Sequence, residues 1–77
     1  MNRFLELANK NLIKNPDWRY GQSLYNTYSM INPDSCNTIA GTEVDPFYKD
    51  LNAVAFLNFV EEELKNNPEL METLNSQ

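Results

Sequence analysis

Apolar residues recur along this chain at helical spacing. Phe4, Leu5, Ala8 and Leu12 form a stripe across positions 3–14, widened by Leu7 and Ile13. Gly21, Leu24, Tyr25 and Tyr28 keep the same three-and-four rhythm across 16–31, with Met30 or Ile31 next. Ala53, Phe56, Leu57, Val60 and Leu64 repeat it across 52–66. These segments are predicted as the three main helices. Shorter helices are predicted at 33–40 and at 68–75, the latter carrying Leu70, Met71 and Leu74. The last one, short and terminal, is expected to fray, so that 68–77 is the loosest part of the domain. A single turn is expected at 46–49. No alternating β-branched run supports a strand.

The punctuation agrees with the periodicity. All four prolines follow Asn or Asp: Asn15-Pro16, Asn32-Pro33, Asp45-Pro46 and Asn67-Pro68. Asn and Asp side chains accept an orphan N–H of a first helical turn. Proline suits the next position, where the N–H has no helical partner and φ is already helical. It also pushes the preceding residue out of the α region, as a cap requires. Asp17, Asp34 and Glu69 follow three of the pairs and complement the positive end of the helix dipole. Each junction is therefore expected to open a helical segment. Asp50 or Asn52 is expected to cap the long third helix, and Gly41 to end the segment at 33–40 in a left-handed conformation.

The expected fold is all-α, a small compact bundle of three main helices plus short ones, in a single domain over 1–77. Its expected core is Phe4, Leu5, Leu12, Leu24, Tyr28, Ile39, Phe47, Phe56, Leu57 and Val60. Gly21 lies inside a predicted helix, where glycine costs about 1 kcal/mol against alanine. That cost points to close approach of another helix, such as the one carrying Phe56 and Phe59.

Composition narrows the class further. Nine aromatics in 77 residues supply large buried surfaces and argue against disorder. Cys36 is the only cysteine and histidine is absent. No intrachain disulfide is available, and one thiol makes no zinc site. A single cysteine fits a reducing compartment. The N-terminal residues lack an apolar run of signal-peptide length, and Val54–Val60 is too short to span a bilayer. A cytoplasmic protein with no membrane association is expected. Net charge is −5. Residues 1–32 carry four cations against two carboxylates, and residues 33–77 carry nine carboxylates against two cations. This asymmetry reads as a solvated acidic face, or alternatively as a surface for a basic partner.

Candidate chemistry is sparse. Without histidine the usual proton shuttle is missing, and Cys36 has no imidazole to activate it, so it reads as a small buried hydrophobe. Glu43, Asp45 and Asp50 do not have the spacing of a calcium loop. No enzymatic activity, cofactor or metal is expected. Lys10, Lys14, Trp18, Arg19 and Tyr20 would suit stacked bases, but the acidic balance disfavours a nucleic-acid partner. Imitation of nucleic acid by the acidic half is an equally weak reading, because its charge is sparse beside a duplex.

Two strings stand out: Trp18-Arg19-Tyr20-Gly21-Gln22 and Gly41-Thr42-Glu43-Val44-Asp45-Pro46-Phe47-Tyr48. One reading is architectural: Trp18 and Phe47 bury, and Arg19 pairs with Glu43 or Asp45 to pin the loop to the second helix. The other is a partner-binding patch of Arg19, Gln22, Glu43, Asp45 and Tyr48. The same strings resemble a group of short phage and bacterial proteins. That group shares a W-R-x-G-Q stretch, a later G-T-x-x-D-P-F-Y stretch, and a helix like Phe56-Leu57-Asn58-Phe59-Val60. The resemblance covers residues 15–60. It implies a phage or prophage setting, and hence the cytoplasm of a bacterial host, and it transfers no functional residue. The expected function is a non-enzymatic accessory protein that binds, and thereby inhibits or modulates, a host or phage protein. A structural homo-oligomer is the alternative.

Overall fold

The computed structural model describes residues 1–77. Five α-helices follow one another: α1 (Asn2–Lys14), α2 (Tyr20–Ile31), α3 (Pro33–Ile39), α4 (Ala53–Asn66) and α5 (Pro68–Asn75). A 3-10 turn, Asp50–Asn52, leads directly into α4. There are no strands, and the fold is all-α, as the apolar spacing predicts. No helix is long and apolar enough to cross a membrane.

Helix α2 is the axis of the molecule and packs against every other helical element. It does so by burying three different surfaces. Leu24, Tyr28 and Ile31 enter the apolar core, Ser23 and Thr27 face α1, and Gly21 meets the loop before α4. Tyr28 is fully buried, with Phe4, Phe56 and Phe59 set edge-on to its ring at centroid distances of 5.8, 6.0 and 6.5 Å. Such T-shaped pairs put the positive ring edge against a negative face. Val60 and Leu64 of α4 and Leu74 of α5 complete the core, and Leu74 ties the last helix to it.

The buried face of α1 is rotated from the expected one. Phe4, Leu7 and Ala8 are buried, whereas Leu5 and Leu12 are half-buried. The rotation follows from a polar seam that the apolar pattern does not register. Ser23 Oγ donates to the Ala8 carbonyl at 2.7 Å, and Asn11 Nδ2 donates to Thr27 Oγ1 at 3.0 Å. The small side chains let α1 and α2 approach closely while every buried side-chain nitrogen and oxygen finds a partner. Phe47, Leu57 and Trp18 are likewise half-buried, and Cys36, Ala53, Ile31 and Leu64 join the core instead.

Two of the four Asn/Asp–Pro junctions open helices. Asn32 Oδ1 accepts from Ser35 N–H at 3.4 Å to cap α3, and Asn67 Oδ1 accepts from Glu69 N–H at 3.2 Å to cap α5. The other two do not. Asn15-Pro16 forms a reverse turn, closed by Trp18 N–H on the Asn15 carbonyl at 2.9 Å, and α2 begins only at Tyr20. Residues 15–19 must reverse the chain so that α2 lies back along α1, and proline is as well suited to the second position of a turn as to a helix start. At Asp45-Pro46 the expected turn is present as a single hydrogen bond from Lys49 N–H to the Pro46 carbonyl, 3.2 Å, with no helix. Asn52 precedes α4 but does not cap it with its side chain. Its Nδ2 donates instead to the Asp45 carbonyl at 2.9 Å. Gly41 does adopt the left-handed conformation expected after α3, with φ +80°.

Candidate functional site

The loop from Ala40 to Lys49 is built from its own polar groups before it meets the rest of the protein. Asp45 organises it: Oδ2 accepts from Gly41 N–H at 2.7 Å and Oδ1 from Phe47 N–H at 2.8 Å. The second bond is the Asx turn that aspartate before proline favours. Thr42 Oγ1 donates to the Ile39 carbonyl at 2.6 Å and accepts from Val44 N–H at 3.2 Å.

A second set of contacts pins this loop to the start of α2. The Arg19 guanidinium donates to the Phe47 carbonyl, and its Nε lies 3.9 Å from Asp50 Oδ1. The same Asp50 oxygen accepts from Gly21 N–H at 2.9 Å. The Pro46 carbonyl packs directly over the Gly21 Cα, where a side chain would not fit. The clamp expected at Arg19 therefore exists, but its partners are Asp50 and a backbone carbonyl, not Glu43 or Asp45. Asp45 is occupied inside the loop. The close approach at Gly21 is likewise to loop backbone, not to the helix carrying Phe56 and Phe59. Gln22 Oε1 accepts from Arg19 N–H at 3.4 Å and steadies the first turn of α2.

The five expected patch residues thus divide. Arg19 and Gln22 serve the clamp and the helix start. Glu43, Asp45 and Tyr48 line a shallow open depression of about 300 Å³ together with Gly41, Thr42, Lys49 and Asn52. Beyond it the surface turns apolar. Tyr48 is 79% exposed, Leu51 91% and Val54 70%. Sequence reasoning missed Leu51 and Val54: both fall outside the apolar stripe of the third helix, and spacing alone does not say whether an off-stripe apolar residue is covered by a neighbouring segment.

A second polar cluster joins three helices and was not foreseen. Glu63 Oε1 accepts from the Tyr28 hydroxyl at 2.5 Å and from Asn32 Nδ2 at 3.5 Å, while Oε2 accepts from Ser35 Oγ at 2.8 Å. Burial, reinforced by the hydrogen bond to the Glu63 carboxylate, pushes the Tyr28 phenol well above its usual range. The signal lay in the phase of α4: Glu63 follows Phe56 by seven positions and Val60 by three, at the edge of the buried stripe. The cluster fixes how α2, α3 and α4 meet. Nearby, Cys36 is fully buried, and its thiol is pushed up to about 12, by burial first and then by the Glu63 and Asp45 carboxylates. It is a packed side chain, not an activated nucleophile. No three His, Cys, Asp or Glu side chains converge as metal ligands would.

Fold and surface together define a small all-α domain with a clamped loop beside an exposed apolar strip. No family model, curated protein or solved structure matches the chain.

Proposed function

We propose that this is a non-enzymatic accessory protein that acts by binding another protein, through the surface formed by Glu43, Tyr48, Leu51 and Val54. One observation carries the reading: three large apolar side chains within seven consecutive residues are exposed, Tyr48 on the loop clamped to α2, Leu51 in the 3-10 turn and Val54 in the first turn of α4. Contiguous exposed apolar surface on a small domain marks an interaction site. A rigid support lowers the ordering cost of using it. Resemblance of residues 15–60 to short phage and bacterial proteins supports a phage or prophage setting, with inhibition or modulation of a host protein as the outcome.

The test compares affinity capture by the tagged wild type and by a Leu51→Glu/Val54→Glu variant from bacterial lysate. Both side chains are exposed, so the variant keeps the fold, which thermal unfolding checks. A protein retained by the wild type and lost by the variant is the expected result. Equal retention by both, or retention of nothing, overturns the reading.

A further inference from the structure

The outward face of α4 changes character along its length. Its beginning, with the 3-10 turn, presents Leu51, Val54 and Ala55; Asn58 follows, and then Glu61 and Glu62, all exposed. Spacings of three and four residues stack these side chains on one side of the helix, opposite the buried Ala53, Phe56, Val60 and Leu64. On the other flank of the apolar strip lies Glu43, in the depression beside Tyr48.

Not every carboxylate of this region is free. Asp45 is held by two backbone N–H groups, and Asp50 by Gly21 N–H and Arg19. Glu43, Glu61 and Glu62 are different: no side chain or backbone donor of the protein engages them, and neither ion pair of the fold includes them. Lys49 lines the same depression as Glu43 and Lys65 lies one turn after Glu61, but neither comes within ion-pair distance of those carboxylates. An apolar strip flanked by unpaired carboxylates selects its cover. A neutral or acidic surface would desolvate those carboxylates without compensation, whereas cations flanking an apolar anchor satisfy both features. A second copy presenting this same face is a poor cover, because its own Glu43, Glu61 and Glu62 would be brought against these carboxylates.

We infer that this face receives a basic segment of the partner protein. An aliphatic or aromatic anchor lies over Tyr48, Leu51 and Val54, and lysine or arginine lies over Glu43, Glu61 and Glu62. The inference rests on the protein-binding reading above and names the chemistry of what is bound.

Fluorescence anisotropy tests it, with a labelled synthetic amphipathic helix of leucine and lysine as the probe and its leucine–glutamate counterpart as the control. The wild type binds the lysine probe and not the control, and more weakly as salt rises. Leu51→Glu/Val54→Glu and Glu61→Lys/Glu62→Lys each weaken binding by on the order of tenfold. Ile13→Glu, at an exposed apolar residue on α1, leaves it unchanged. Equal binding of both probes, an equal loss in Ile13→Glu, or indifference to Glu61→Lys/Glu62→Lys overturns the inference. So does sedimentation of the wild type as a dimer that Leu51→Glu/Val54→Glu converts to monomer. If a captured host protein needs Leu51 and Val54 but ignores Glu61→Lys/Glu62→Lys, the protein-binding reading stands and the basic-segment inference falls.

Discussion

A methyl group on Gly21 would overlap the Pro46 carbonyl oxygen and lie 2.8 Å from Asp50 Oδ1. Two effects then compete in a Gly21→Ala variant. Alanine gains about 1 kcal/mol in helix propensity, whereas overpacking against backbone costs roughly 1–3 kcal/mol. Backbone cannot swing aside as a side chain can, and the same movement would stretch the Gly21 N–H bond to Asp50, so the clash wins. We expect a net loss of up to about 2 kcal/mol, measured as a lower urea midpoint. A variant more stable than the wild type would show that the loop is not clamped here. The glycine was legible in the sequence as a sign of close approach. Its neighbour was not, since Glu43, Asp45 and Asp50 are chemically equivalent candidates and only the packed geometry brings Asp50 to both Gly21 and Arg19.

Between elements, the same distinction separates caps that worked from caps that did not. Asn32 and Asn67 cap α3 and α5 through their side-chain oxygens. Asn15-Pro16 is drawn into a chain reversal and Asp45-Pro46 into an Asx turn under a buried proline. Local propensity offers both outcomes, and the need to lay α2 against α1 selects one. The Glu63 cluster shows the converse, a junction of α2, α3 and α4 made by side chains that no local rule unites. Removing the acceptor in Glu63→Ala leaves the buried Tyr28 hydroxyl without its partner, which costs about 1–3 kcal/mol. In Tyr28→Phe the carboxylate keeps Ser35 and Asn32, so the loss is smaller, roughly 0.5–1.5 kcal/mol. Urea denaturation of both variants and of the double variant reads the coupling. Strictly additive losses would mean that the two groups do not support each other.

At the scale of the whole molecule, the radius of gyration is 11.4 Å, against about 11.5 Å for a folded chain of this length. Cys36 reports on the integrity of this packing. Its thiol is held at about 12 against an ordinary value of 9.0. The folded protein thus keeps a proton that the unfolded chain gives up above 9. The stabilisation is complete below that pH and is lost as pH rises toward 12, because the unfolded state is then the one that ionises. Near pH ~10.5 this amounts to on the order of 1–2 kcal/mol. We expect the urea midpoint of the wild type to fall between pH ~8 and ~10.5 more steeply than that of Cys36→Ala. Parallel slopes would show that the thiol ionises freely in the folded protein.

Helical segmentation was written locally. Stripe spacing, helix-ending Gly41, the two working caps and the burial of Tyr28, Phe56 and Cys36 all follow from residues within a few turns of one another. Tertiary structure alone decided which way α1 faces, which acid meets Arg19, how Glu63 binds three helices, and that Leu51 and Val54 stay in water. The physical reason is range. Periodicity and capping depend on the backbone geometry of neighbours, whereas choices among equivalent partners depend on distances that exist only once the helices have packed.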